Sequence, residues 1–434
     1  MPPTRVSVSP RALERDPARR MAYLAVVCLF FLKVSTVNEI IHSMMGRSLH
    51  LLYILGPPAI LGTILAGGLA RTFRHRLAWI WLAFGVWMAI TTPFSYWVGD
   101  SVRGVFGYFR DDLAMLFLIA GTVVSWQDCR NVIRAGMLAV LIPMLYAFAR
   151  GGARRSDQLI EYGSIANAND FAAHLLLFLL FLVFFILRPQ TKMVFRLAAA
   201  GLALLQTFMI LKTGSRGALI AVCVAVVIFI LRAPTRQKIV AMVAMPCALA
   251  AALMFLPTDM YNRLFSFSAD SEDAVQEALE STSSREYLLR KSIEFTLDKP
   301  IFGVGMGQFS IYEGSAAREE GGRGNWHLTH NAYTQVSSEC GIPALLLFLA
   351  GVIGTFLTFL RIARRAKAVG HREIMIAANC LLTGFAAFSV AIIFLSLAYA
   401  FYLPAMAGIA IAMHYASERE FQVLAQNPAV QRGR

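Results

Sequence analysis

Apolar runs alternate with short polar segments along almost the whole chain. An α-helix needs about 20 residues to cross the hydrocarbon core of a bilayer, and twelve runs approach that length. They lie near 21–41, 51–70, 77–97, 112–126, 131–149, 167–187, 194–211, 217–231, 239–256, 341–360, 373–395 and 398–416. The pattern predicts an all-α polytopic membrane protein with about 12 transmembrane helices.

One polar gap between these runs is much longer than the others. The chain therefore divides into nine transmembrane helices with short loops at 1–256, a large loop at 257–340, three more transmembrane helices at 341–416 and a tail at 417–434. Inside the large loop, SREYLLRKSIEFTLDKP predicts a helix. Ser283 or Ser284 is expected to cap its start, and it should end at Asp298, before the glycine-rich turn PIFGVGMG.

The basic residues follow the topology that these runs predict. With 12 spans both termini share one side, and the segments on that side carry 24 lysines and arginines against 15 on the other side. Lysine and arginine mark the cytoplasm, so the large loop, with seven basic and 13 acidic residues, is expected outside. The net charge of +14 is mostly this asymmetry, and it does not indicate nucleic-acid binding.

Several arginines lie on the expected outer side, where positive charge is normally scarce. Arg154 and Arg155 follow the fifth run, Arg216 stands in the turn TGSRGA, and Arg285 stands in SSREY. A guanidinium group offers a rigid fork of donors that suits phosphate oxygens. Two interpretations stay open: each arginine extends to a lipid headgroup or a helix carbonyl, or together they bind the phosphate of a lipid substrate.

The stretch NWHLTHNAY, residues 325–333, gathers polar groups just before the tenth run. His330 is a candidate general base, because imidazole titrates near neutral pH; the alternative is a histidine that hydrogen-bonds a carbonyl group. His327 and His330 could also bind zinc, but the glutamate of an HExxH motif is missing, and Glu339 is the one further ligand nearby.

Other signs of cofactor chemistry are weak. The chain contains no DxD motif, so the sequence does not indicate a metal-dependent glycosyltransferase, and no metal or other cofactor is predicted. Asn167 and Asn169, at the start of the sixth run, could orient polar ligands, although a helix N-cap is the simpler role for each of them.

Five motifs in this order resemble the O-antigen ligase and polymerase family of bacterial inner membranes. They are NAND at 167–170, TGSRGA at 213–218, SSRE at 283–286, PIFGVGMGQF at 300–309 and HLTHNAY at 327–333. The resemblance covers about 167–343. It implies a glycosyltransferase-C-like membrane enzyme of the inner membrane that transfers a glycan from undecaprenyl diphosphate to an acceptor at the periplasmic face.

The resemblance also implies roles for particular residues. His330 would be the catalytic histidine, and Arg216 and Arg285 would bind the diphosphate. His327, Asn331, Asn167, Asn169, Arg154 and Arg155 would support them. Fixed cations can stabilise a diphosphate leaving group in place of a metal, so a metal-independent reaction that inverts the sugar configuration is expected.

The acceptor separates the members of this family. The 12 predicted spans and the position of the large loop look most like the lipopolysaccharide ligases, whose acceptor is lipid A with its core oligosaccharide. O-antigen polymerases and protein O-oligosaccharyltransferases share the donor chemistry and remain alternatives. A 12-helix transporter is the alternative of another class, but transporters gather their charges near the bilayer midplane, where Lys33 is the chief candidate.

Overall fold

The regular elements in the described part of the chain are helices. The computed structural model describes residues 16–46, 50–149, 165, 167–235, 238–239, 242, 250, 253–256, 272–319, 321–322, 324 and 326–426. The α-helices in these ranges are α1 (Pro17–Ser35), α2 (Val37–Met45), α3 (Leu51–Leu65), α4 (Gly68–Thr72), α5 (Arg76–Thr91), α6 (Val98–Gly107), α7 (Ala114–Thr122), α8 (Trp126–Ala149), α9 (Ala168–Leu187), α10 (Met193–Lys212), α11 (Arg216–Arg232), α12 (Glu272–Asp298), α13 (Phe309–Glu319), α14 (Ala332–Val369), α15 (Arg372–Ala391) and α16 (Tyr402–Gln426).

Six helices in the described ranges are long and apolar enough to cross a membrane. They are α8, α9, α10, α14, α5 with the 3-10 turn after it (Arg76–Phe94) and α15 with the 3-10 turn after it (Arg372–Phe394). Helices α1 and α2 together make a seventh candidate, which is bent by 58°. These helices indicate a membrane protein, as the sequence predicts, whereas the number 12, the division into domains and the orientation stay predictions.

Some of the predicted elements have other boundaries. In the run at 112–126, α7 is only nine residues long and continues from α6 through a π-helical turn at Tyr108–Leu113. Most of the run at 239–256 lies outside the described residues. Helix α12 begins at Glu272, so the predicted cap at Ser283 or Ser284 is wrong. The residues before these serines include good helix formers such as alanine and glutamate, and they continue the helix. The predicted end of the helix at Asp298 is confirmed.

Helices α9 and α15 pack against each other in opposite directions near the centre of the bundle. A Cβ atom on Gly384, halfway along α15, would lie 3.0 Å from the carbonyl oxygen of Leu177, halfway along α9. Such small residues let membrane helices approach closely, which matters because lipid supplies little hydrophobic drive between helices. Arg188, directly after α9, forms a 2.8 Å ion pair with Glu373 at the start of α15, so the start of α9 and the end of α15 lie together at the other end of the bundle.

The turn PIFGVGMG packs against a break in α14. Gly341 has φ +83°, outside the helical region, and splits α14 near its start. The Val304 N–H donates to the Ser338 carbonyl at 2.9 Å, and the Ile342 N–H donates to the Pro300 carbonyl at 2.7 Å. Gly303 has φ +69° and lies so close to Glu339 that an added Cβ atom would be 2.4 Å from its carbonyl carbon. This backbone pairing holds the first turns of α14, which the candidate histidines directly precede.

Candidate functional site

The stretch before α14 has an unusual backbone. Trp326 and His330 adopt φ values of +54° and +51°, a left-handed conformation that residues other than glycine seldom adopt. Asn331 is the N-cap of α14, and its side-chain oxygen accepts hydrogen bonds from the N–H groups of Tyr333 at 2.9 Å and Thr334 at 3.2 Å. The amide of Asn331 thus starts the helix directly after His330.

Ser396 fixes the strained backbone of His330. The His330 N–H donates a 2.9 Å hydrogen bond to Ser396 Oγ, in the segment between α15 and α16. Thr329 Oγ1 lies 3.3 Å from the same hydroxyl and donates to the Asn331 carbonyl at 3.0 Å. Strained backbone that the surroundings over-determine is typical of functional sites. The backbone of the half-buried residue His330 is therefore held by a segment that lies 66 positions further along the chain.

A buried carboxylate joins this stretch to the helices of the large loop. Glu313 in α13 is 1% exposed. It accepts a hydrogen bond from the Tyr287 hydroxyl of α12 at 3.0 Å and another from the Trp326 N–H at 2.9 Å. Because hydrogen bonds to a charged group are strong, Glu313 connects α12 and α13 to the segment that precedes His330.

Arg285 lies in a narrow crevice at the end of the bundle where α9 begins. The crevice is lined by Arg285 of α12, Asn169 and Ala173 of α9, Ser215, Gly217 and Ala218 around the start of α11, and Ala391, Phe394 and Leu395 at and after the end of α15. Leu395 directly precedes Ser396, which bonds to His330. Arg285 and His330 therefore both lie close to the same short segment.

Two helices begin at this crevice. Ser215 caps α11 by accepting from the Ala218 N–H at 3.3 Å, and Arg216 is the first residue of that helix. Asn167 caps α9 by accepting from the N–H groups of Asn169 at 2.9 Å and Asp170 at 3.1 Å. Helix N-termini carry partial positive charge and favour anions, so the crevice suits a negatively charged group.

The structure assigns different local roles to the remaining predicted residues. Asn167 has the capping role that the sequence offered as its simpler interpretation, whereas Asn169 lines the crevice. His327 is exposed, and its ring centre lies 6.5 Å from that of His330. Arg154 and Arg155 lie outside the described residues.

The described residues contain no group of three or more histidine, cysteine, aspartate or glutamate side chains that could hold a metal ion. Glu339, the further ligand considered from the sequence, is fully buried and accepts hydrogen bonds from the N–H groups of Gly307 at 3.0 Å and Phe309 at 3.4 Å. Its carboxylate thus anchors the glycine-rich turn. The histidine pair and Glu339 do not form a zinc site in this arrangement.

Ser396 and Glu313 stand in none of the motifs that the sequence offers. Ser396 is one small polar residue in the apolar stretch IFLSLAY, and serine is common in membrane helices. Glu313 is one of 13 acidic residues in the large loop, and no spacing distinguishes it. The contacts of both residues join segments that are far apart along the chain, so no local pattern signals them.

Part of this chain matches a known protein family. Residues 201–349 match the family model described as O-antigen ligase, and this range includes Arg216, Arg285, Glu313 and His330. No curated protein matches the chain significantly. The matched range, about a third of the chain, is therefore similar to the O-antigen ligase family.

Proposed function

We propose that this protein is an O-antigen ligase that transfers a polysaccharide from undecaprenyl diphosphate to the lipid A-core oligosaccharide at the periplasmic face of the bacterial inner membrane. The observation that carries the proposal is the shared segment at 395–396. Leu395 lines the crevice that contains Arg285, and Ser396 holds His330. Arg285, which would bind the donor phosphate, and His330, which would act as base for the acceptor, thus lie near the same segment.

The crevice would bind the diphosphate of the donor. Cleavage of the bond between a sugar and a diphosphate develops negative charge on the leaving group, and preorganised donors lower the barrier. Arg285 and Arg216 would supply fixed positive charge, and the N-termini of α9 and α11 would add their dipoles. Arg154 and Arg155 would bind phosphate or lipid headgroups nearby. In this scheme the arginines have the role that a divalent metal has in other glycosyltransferases.

His330 would activate the acceptor. A sugar hydroxyl group is a weak nucleophile until a base takes its proton during attack. The neutral imidazole of His330 would accept that proton while the hydroxyl oxygen bonds to the anomeric carbon and the bond to the diphosphate breaks. One direct displacement inverts the sugar configuration. Asn331 would keep the ring in position by starting α14, and His327 would orient the acceptor.

An acceptor comparison tests this function. Purified protein is incubated with a lipid-linked glycan and, in separate reactions, with lipid A-core, a pilin-like protein or a second portion of the lipid-linked glycan. A mobility shift of lipid A-core is the expected result. A shift of the pilin would instead identify a protein O-oligosaccharyltransferase, and an elongated lipid-linked glycan would identify a polymerase.

Transport is the alternative of a different class. Lys33, the basic residue inside the first run, forms an ion pair with Asp112, with 3.6 Å between Nζ and Oδ1. The Lys33 and Asp112 side chains are 17% and 19% exposed. In proteoliposomes we expect no glycan flux that depends on this pair. Flux that survives replacement of His330 by alanine and stops with Lys33→Met would favour transport over transfer.

A further inference from the structure

A second cavity lies at the opposite end of the bundle from the crevice. Helix α9 runs from the crevice to Leu187, and α15 runs from Arg372 back to the crevice. Between these far ends is a cavity of about 630 Å³, which we call the far cavity. Its size is in the range of about 300–1,000 Å³ that is usual for small-molecule sites.

Hydrogen-bond donors dominate the wall of the far cavity. They belong to Trp126 and Arg130 of α8, Gln190 after α9, Lys367 at the end of α14, and Arg372 at the start of α15. Lys367 and Arg372 are exposed and form no ion pair with the described residues. Their positive charge is therefore available to a ligand.

Trp126 gives an independent sign that a ligand belongs there. Its side chain lines the cavity and is only 3% exposed. The buried indole N–H has no hydrogen-bond partner among the described residues. A buried donor without an acceptor is destabilising, so a shift of the cavity wall that brings a ligand oxygen to the indole N–H would stabilise the bound state.

Two carboxylates also line the cavity, and both already interact with the protein. Glu373 lies 3.4 Å from an Arg130 nitrogen and 2.8 Å from an Arg188 nitrogen. Glu420 likewise interacts with other groups of the protein. His371 caps α15 by accepting from the Ile374 N–H at 3.4 Å. The acidic groups are thus engaged in the wall, whereas the lysine, an arginine and the indole N–H remain as donors.

We infer that the far cavity binds the phosphate group of an anionic ligand, which is either the headgroup of a membrane phospholipid or a soluble phosphorylated compound. Phosphate oxygens accept several hydrogen bonds at once, and arginine forks suit them. Basic pockets between the ends of membrane helices are known to bind anionic lipid headgroups. The inference uses none of the residues proposed for glycan transfer, so either one can fail alone.

Binding to the purified full-length protein in a zwitterionic detergent tests the inference. Tryptophan fluorescence is followed while phosphatidylglycerol, phosphatidylcholine or inorganic phosphate is added. The test variant is the pair Lys367→Ala and Arg372→Ala. The matched control is the pair Arg361→Ala and Arg364→Ala, which removes two exposed charges of α14 outside the cavity. Trp126→Phe keeps an aromatic ring but removes the donor.

The inference predicts saturable binding of phosphatidylglycerol, or of inorganic phosphate if the ligand is soluble, and no binding of phosphatidylcholine. The double variant that lacks Lys367 and Arg372 should bind about tenfold more weakly or worse, and the control double variant should bind as the wild type does. Trp126→Phe should weaken binding several-fold, as measured by competition with a labelled lipid. Absence of binding by both anionic probes, or equal binding by the two double variants, would overturn it.

Discussion

The hydrogen bond between Ser396 and His330 should matter more for catalysis than for stability. Ser396→Ala removes the acceptor of the His330 N–H, which lies 2.9 Å from Ser396 Oγ. A hydrogen bond of this kind contributes about 0.5–1.5 kcal/mol, and the left-handed backbone of His330 opposes it with about 1–2 kcal/mol. Without the serine hydroxyl, His330 is expected to relax toward an ordinary backbone conformation.

The size of the catalytic effect follows from the same bond. A free-energy change of about 1.4 kcal/mol alters a rate tenfold, so Ser396→Ala should lower kcat by about twofold to tenfold. KM for the lipid-linked donor should stay near the wild-type value, because Ser396 does not line the crevice that contains Arg285. Transfer to lipid A-core in detergent, with kcat and KM measured separately, is the assay.

Two further variants make this prediction specific. Ser396→Thr keeps a hydroxyl group and should restore most of kcat. Ser389→Ala removes a hydroxyl whose hydrogen bond among the described residues stays within α15, to the Phe385 carbonyl at 2.8 Å, and should leave kcat unchanged. If Ser396→Ala and Ser389→Ala have the same kcat, the account of His330 positioning is wrong.

Three other predictions concern the glycine-rich turn, the N-cap of α14 and the dependence of transfer on metal. Gly303→Ala should prevent stable folding, because the new Cβ atom would clash with the backbone of Glu339. Gly307 has φ +73° and no atom within 4 Å of an added Cβ, so Gly307→Ala should destabilise the fold by only about 1–2 kcal/mol. Thermal unfolding of the two variants tests this difference. Asn331→Ala should reduce stability by about 1 kcal/mol and Asn331→Asp much less, and equal melting temperatures would contradict the capping role. A chelator should leave transfer unchanged, and loss of activity that added zinc restores would favour a metal site at the histidines.

Local patterns predicted the helices well where apolar length alone decides them. Helices α9 and α10 lie within one residue of their predicted bounds at both ends. The start of α12 was missed because a serine in a helix-forming stretch does not have to cap it. The run predicted at 112–126 contains α7 but is longer than it, because a π-helical turn joins α6 to α7 and periodicity does not show such a junction.

The candidate site was predictable only in part for a similar reason. Arg216, Arg285 and His330 stand in recognisable motifs, and their side-chain types alone suggest phosphate binding and proton transfer. The residues that position them stand in no such motif. Ser396 contacts His330 across 66 positions, and Glu313 contacts Tyr287 across 26. Contacts between residues so far apart in sequence depend on the packing of the whole bundle.

The central claim is that His330 takes a proton from the acceptor hydroxyl group. The most direct measurement is the rate of transfer from a lipid-linked glycan to lipid A-core by purified His330→Ala protein whose melting temperature matches that of the wild type. General-base catalysis contributes about 10²–10⁴-fold, so the account predicts a rate at least about 100-fold lower. A rate equal to that of the wild type would contradict it.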